Sequence, residues 1–382
     1  MKIAFDAKRL YNNFTGLGNH SRTTIDILTE NFPENEYLLY TPKVKLNKVT
    51  EPYLTKEKCR TIFPSGIAKG SIWRTFVQSK DLKRDEADIF HGLSHEIPLG
   101  LKSKGIPSVV TIHDVAFKTF TQMYHWHDRQ IYDLKFRYSC NNADRIIAIS
   151  ECTKKDIMRF YGIPEERISV VYQPVQKLFY TPLDIEEARR MADNAISGLP
   201  KDFMLYVGSI NSRKNLLSVV KAMETLPESL RMPLVIVGNG REYKAEVLRY
   251  IASKGIEKMF IWAPNIRDNH QLQALYTCAK VFVYPSFYEG FGLPVVEALL
   301  NGCPVITSNV SSLPEAGGPY SLQVDPNSVD AISEALRKVI EDEELRTYML
   351  KGGREYAMQT FEPSSLAKQL MDIYKNEIQT NS

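Results

Sequence analysis

Two acidic side chains bracket a glycine-containing turn in VFVYPSFYEGFGLPVVEALLNGCPVITS (281–308). Glu289 falls in the turn and Glu297 about one helical turn into the apolar run behind it. A carboxylate that accepts hydroxyl protons is a natural clamp for a sugar or a ribose. Ser286 opens the turn, and Gly290 and Gly292 flank Phe291, so the backbone can come close to a ligand. Leu293 and Pro294 then start a helix, and a helix start offers free amides and a positive dipole end to an anion. A second turn, Gly208-Ser209-Ile-Asn-Ser-Arg213-Lys214-Asn215, sets two cations behind another apolar run. Lys as a point charge and Arg as a planar fork suit a diphosphate. A third turn carries Gly16-Leu17-Gly18 before Asn19-His20, and a fourth ends TIHD with His113 and Asp114. Read singly, each has an ordinary structural account: Glu289 as a helix cap, Arg213-Lys214 as an exposed basic turn, His113 as a bonded core histidine. It is their joint occurrence behind strands that points to chemistry.

The elements that would position these residues are legible. KIAFD (2–6), YLLY (37–40), CRTIF (59–63), DIFHG (88–92), SVVTIHD (108–114), RIIAIS (145–150) and ISVVY (168–172) read as strands. So do 203–208, 233–238, 259–262, 281–285, 304–307 and 321–324. Most are unbroken apolar runs, the pattern of strands buried on both faces. Helical spacing separates many of them, with a first helix expected at Ser21–Glu30. Alternation of strand and helix implies parallel sheets. The fold class is α/β, with two Rossmann-like doubly wound domains facing a cleft. The expected domains are 1–175 and 176–360. A helix in 361–382, apolar at Leu366, Leu370, Ile373 and Tyr374, packs on its own domain or crosses back to the first. Ligands of such sheets bind beyond the strand C-termini, where all four turns fall. There Gly238 ends one strand, and Asn265-Ile266 follow the next.

Composition narrows the class. Of 382 residues, 43% are hydrophobic and 24% charged, values of an ordered globular chain. Five cysteines without a CxxC pair support neither a disulfide framework nor that kind of zinc site. His125 and His127 form an HxH, but two positions apart on a helix they diverge, so no metal is assigned. Net charge is +3, with +6 in residues 1–175 and −3 in the rest, which argues against nucleic acid as a partner. No apolar run reaches the ~20 residues of a membrane span, and Asp6, Lys8 and Arg9 interrupt any signal-peptide core. The expected location is cytoplasmic, with the basic first domain able to touch the inner face of an anionic membrane.

The run Ser286-Phe-Tyr-Glu289-Gly-Phe-Gly-Leu293-Pro-Val-Val-Glu297 resembles the signature of retaining, nucleotide-sugar-dependent GT-B enzymes of glycosyltransferase family 4. The likeness extends through DAKRL…TGLGNHSR, similar to a DAR…TGIGRYTR pattern of mannosyltransferase-like members, with Asn19-His20 in place of Arg-Tyr. The resemblance implies a hexosyltransferase that moves a sugar from a nucleoside diphosphate donor, without metal or other cofactor. It places Arg213 and Lys214 on the diphosphate, Gly16-Leu17-Gly18 over the phosphates and sugar, and Glu297 on the ribose. Glu289 would hold the donor sugar, and the loops at Gly208, Ser209, Gly238, Asn265 and Ile266 would border the nucleotide. His113 and Asp114 would line the transferred sugar and the acceptor. Mannose-like features make GDP-mannose the first expectation and a UDP-sugar the second. The expected acceptor is a glycan or lipid-linked oligosaccharide. A non-catalytic nucleotide-sugar-binding protein and a GT-B-fold epimerase are the alternatives, separated by whether donor is turned over.

Overall fold

The protein is described by a computed structural model covering residues 1–266 and 268–381. Thirteen strands form among the described residues; the inner ones are buried on both faces, as in Ser108–Ile112, while the edge strands Cys59–Ile62 and Leu322–Val324 are partly exposed. Strand ends differ from the sequence expectation by a residue or two, the usual uncertainty of element ends.

The chain divides into two compact units. Unit 1 holds Met1–Pro174 together with Phe361–Ser382, and unit 2 holds Val175–Thr360. Unit 1 contains β1 (Lys2–Asp6), β2 (Glu36–Tyr40), β3 (Cys59–Ile62), β4 (Ile89–Gly92), β5 (Ser108–Ile112), β6 (Arg145–Ala148) and β7 (Ile168–Val170) in the order β3-β2-β1-β4-β5-β6-β7. Unit 2 contains β8 (Met204–Val207), β9 (Leu234–Val237), β10 (Phe260–Trp262), β11 (Val281–Tyr284), β12 (Val305–Ser308) and β13 (Leu322–Val324) in the order β10-β9-β8-β11-β12-β13. Every ladder in both sheets is parallel. The strand order reverses direction between β1 and β4 in one sheet and between β8 and β11 in the other, and such a reversal opens a crevice at the strand C-termini.

The helix Pro363–Asn381 belongs to unit 1. Leu366, Leu370, Met371 and Tyr374 join Ile3, Phe5, Leu10 and Tyr11 in one apolar core. Tyr374 Oη lies 2.7 Å from His91 Nδ1, and Arg145 pairs with Glu377 at 2.8 Å. No helix among the described residues is long and apolar enough to cross a membrane.

One expectation needs correction. The helix expected at Ser21 begins at Gly16, behind a short helix at Lys8–Asn12, so Gly16-Leu17-Gly18 is a first helical turn and not a loop. Glycine usually marks a break, but the free amides of a first turn need an acceptor. Asn13 Oδ1 supplies it, accepting from Thr15 N at 2.9 Å and Gly18 N at 3.0 Å. A Cβ on Gly18 would stand 1.8 Å from the Asn13 carbonyl oxygen, so the close approach requires glycine.

In unit 2 the ends of β8 and β9 are zipped. Gly208 N donates to Val237 O at 2.9 Å and Ile210 N to Asn239 O at 2.8 Å, with a further bridge between Ile210 and Gly240. Gly238 has φ +148, and a Cβ there would lie 1.9 Å from the Gly208 carbonyl oxygen. Gly238→Ala is expected to destabilise unit 2 by on the order of 2–3 kcal/mol, read as a lower midpoint in urea melts; an unchanged midpoint would show that the zipped loops are soft.

Candidate functional site

The crevice of unit 2 opens between β8 and β11. The turn after β8 delivers Arg213 and Lys214, and the turn after β11 delivers Glu289. Lys214 Nζ lies 3.0 Å from Glu289 Oε1, and Arg213 Nη1 lies 2.9 Å from Glu289 Oε2, so each carboxylate oxygen takes one cation. Tyr284 Oη also donates to Glu289 Oε1 at 3.0 Å, and Lys214 Nζ bonds Tyr284 Oη and stands over its ring at 4.7 Å from the centroid. The Lys214 and Glu289 side chains are each 11% exposed. Burial alone would push Glu289 up, but Lys214 and then Arg213 outweigh it and hold the carboxyl at about 2. Burial pulls Lys214 below its usual range, opposed by Glu289. Two cations against one carboxylate leave the group with a net positive charge, which favours an anion.

Backbone and small side chains fix this cluster. Asn211 caps the turn by accepting from Lys214 N at 3.2 Å, and Tyr206 Oη donates to the Lys214 carbonyl at 3.1 Å. Asn215, in the left-handed region at φ 58, is buried and donates to Pro285 O at 3.1 Å and Pro326 O at 2.7 Å, tying the two turns together. Arg213 Nη1 also donates to the Tyr288 carbonyl. Glu289 N donates to Ser311 Oγ at 3.0 Å, and Ser312 Oγ donates to the carbonyls of Glu289 and Phe291, both at 2.8 Å. Tyr206, Tyr284, Asn215, Ser311 and Ser312 carry no motif of their own. Tyr284 alone had a sequence signal, its place as the last residue of a strand.

Gly292 sits at φ +117 and begins the helix Leu293–Leu300, with Pro294 in its first turn as expected. Glu297 lies in that helix, half-buried, with Tyr276 Oη donating to its Oε2 at 3.1 Å. Burial pushes its carboxyl up to about 7, against the Tyr276 hydrogen bond. Ser286 and Phe291 are buried, and Gly290 and Leu293 are half-buried. Gly208 and Gly238 shape the zipped strand ends, Ser209 is exposed beside them, and Ile266 is half-buried after β10 with Asn265 exposed.

Unit 1 gathers a separate set. His113 follows β5 and is buried; its Nε2–H donates to Leu93 O at 2.9 Å, and Gln173 Nε2 donates to its Nδ1 at 2.7 Å. Burial lowers His113 to about 4, so the ring is neutral, and both nitrogens are already engaged. In this arrangement His113 braces two loops. Asp114 Oδ1 accepts from Ala116 N at 2.9 Å. Gly18 is buried, Leu17 half-buried and Gly16 exposed.

Two doubly wound parallel-sheet domains, one with paired cations and an acid at its switch point, define a GT-B glycosyltransferase. Residues 191–356 match the family Glycosyl transferases group 1, and residues 23–176 match Glycosyltransferase Family 4. The O-antigen chain mannosyltransferase B of Escherichia coli is 33% identical over 296 residues, covering 76% of this chain and 75% of that protein. The chain belongs to glycosyltransferase family 4 and is a hexosyltransferase by class. Solved structures share the fold. A glycosyltransferase from Rickettsia africae has a TM-score of 0.74 at 17% identity, covering 100% of this chain and 99% of that one. Anabaena HepE in complex with UDP has a TM-score of 0.73 at 14% identity, covering 98% and 100%.

Glu297 carries a pH consequence. Its folded pKa of about 7 lies above that of an unfolded glutamate, so the folded state keeps the proton longer. The stability this contributes is complete below about pH 4.5 and is lost as pH rises through 7. Glu297→Gln is expected to flatten that part of the Tm-against-pH curve. An identical slope in wild type and variant would rule the raised pKa out.

Proposed function

We propose that the protein transfers a mannosyl group, with retained anomeric configuration, from GDP-mannose to a hydroxyl of a glycan or lipid-linked glycan. The observation that carries this reading is the Lys214–Glu289–Arg213 cluster at the switch point of unit 2. Mannose is supported by the name of the Escherichia coli relative. A UDP-sugar is the second donor, supported by UDP in the Anabaena neighbour.

The chemistry asked of the protein is stabilisation of charge on a departing diphosphate. Arg213 and Lys214 supply two fixed positive charges there without a divalent ion, and the first turn of Leu293–Leu300 adds its dipole. Glu289 keeps both cations aligned before donor arrives and, as they turn to phosphate, its oxygens become acceptors for sugar hydroxyls. Glu297 accepts from ribose hydroxyls. With its oxygens taken by sugar hydroxyls, Glu289 orients the donor, and same-face attack is preferred over a covalent glycosyl intermediate on it. The acceptor proton then passes to the leaving phosphate oxygen. The basic charge of residues 1–175 supports work at the inner face of an anionic membrane.

A thermal-shift panel with GDP, UDP, ADP and dTDP is expected to raise the Tm most with GDP, then with UDP. Lys214→Ala and Glu289→Gln are each expected to lower the transfer rate by about 100-fold or more, and EDTA to leave it unchanged. Near-wild-type rates in both variants would remove the cluster from the reaction, and full loss in EDTA would remove the metal-free scheme.

A further inference from the structure

Unit 1 groups four of the chain's seven histidines, with His20 and His95 edge-on to His113 and His91 within electrostatic reach of it. Three of them have at least one ring nitrogen in use. His113 bonds Leu93 and Gln173, and His91 lies 2.8 Å from Thr111 Oγ1 and 2.7 Å from Tyr374 Oη. His95 Nδ1 accepts from His113 N at 3.4 Å. The fourth does not. His20 is 6% exposed, both its nitrogens are shielded from solvent, and neither has a hydrogen-bond partner. Its ring stands edge-on to His113, with centroids 4.5 Å apart.

Position sharpens the anomaly. His20 lies just over one turn into the helix Gly16–Asn31, behind Gly18, which packs against the Asn13 backbone with no room for a Cβ. Thr24, on the same face one turn further, also buries a hydroxyl without a partner. Buried donors and acceptors are nearly always paired, so an imidazole orphaned at both nitrogens calls for a ligand. Burial and the neighbouring histidines hold His20 well below the usual histidine range, so it is neutral. A neutral imidazole offers one donor and one acceptor. A hydroxyl answers both, whereas a phosphate oxygen only accepts. Turning the ring toward a ligand breaks no hydrogen bond, because it has none to break.

Resting on the proposed transfer reaction, we infer that His20 is a specificity residue that reads a sugar hydroxyl at unit 1, with His113 as the platform behind its ring. The DAR…TGIGRYTR pattern that this stretch resembles has tyrosine at this place, where this chain has an imidazole. The hydroxyl belongs either to the donor hexose or to the acceptor glycan.

The test uses the full chain with GDP-mannose, a mannose-terminated glycan acceptor, and the variants H20F and H20Q. H20F removes both orphaned atoms. It is expected to keep or raise the Tm without ligand, bind GDP as wild type does, and lose at least tenfold in kcat/KM. H20Q keeps one donor and one acceptor and is expected to recover part of that loss. If donor hydrolysis without acceptor falls in parallel, the hydroxyl is the donor's. If hydrolysis holds and only the acceptor KM rises, it is the acceptor's. Wild-type kcat/KM for both substrates in folded H20F overturns the inference. Should H20F misfold, the 15N ring signals of His20 in the wild-type protein decide: a shift on saturation with GDP-mannose or with the glycan supports it, and none overturns it. Failure of the wild type to bind GDP or UDP would instead overturn the proposed donor reading, and the ring signals titrated with mannose alone would still test His20.

Discussion

A carboxylate and two cations that have lost most of their water must stay paired, and unit 2 is arranged around that requirement. Breaking a buried pair by removing one partner costs about 3–5 kcal/mol, because the survivor is left charged and dry. Glu289 therefore cannot be read as a free acid awaiting substrate. Its oxygens are shared among Lys214, Arg213 and Tyr284, and Asn215, Ser311 and Ser312 exist in the structure to keep the two carrying turns in register. The same pairing holds both cations in place and in a fixed charge state at the mouth of the crevice.

That geometry follows from topology before it follows from chemistry. Strands β8 and β11 are neighbours in space but far apart in sequence, and the crossovers that follow them leave in opposite directions along the sheet. Their C-terminal turns must diverge, and a crevice results. The left-handed residue Asn215 and the positive-φ glycines Gly208, Gly238 and Gly292 are where the backbone pays for the sharp exits. Unit 1 repeats the plan with different furniture, a buried Arg74–Asp6 pair at the end of β1 and a group of buried histidines.

Much of this was readable from residue order. Unbroken apolar runs gave most of the strands, because a strand covered on both faces has no polar side to betray its period. Glu289, Arg213 and Lys214 were legible because charged residues behind such runs have few structural reasons to be there. Their partners were not. Tyr284 and Tyr206 look like ordinary strand residues, and Asn215, Ser311 and Ser312 like ordinary turn residues, until the turns are brought together. The start of the helix Gly16–Asn31 was misplaced because Gly16 and Gly18 read as a break, while the side chain that caps them, Asn13, lies outside the helix. His20 was visible only as a departure from a pattern. That it lacks partners depends on packing, which no spacing rule reports.

The helix Pro363–Asn381 completes unit 1 although every residue of unit 2 precedes it in the chain. During synthesis, the surface of β1 and the helices behind it is made early, and Leu366, the first of the residues that cover it, follows only 335 residues after Asn31. Unit 2, by contrast, is contiguous and can finish first. The nascent chain thus has a long interval in which an apolar flank of its leading half is without its final cover.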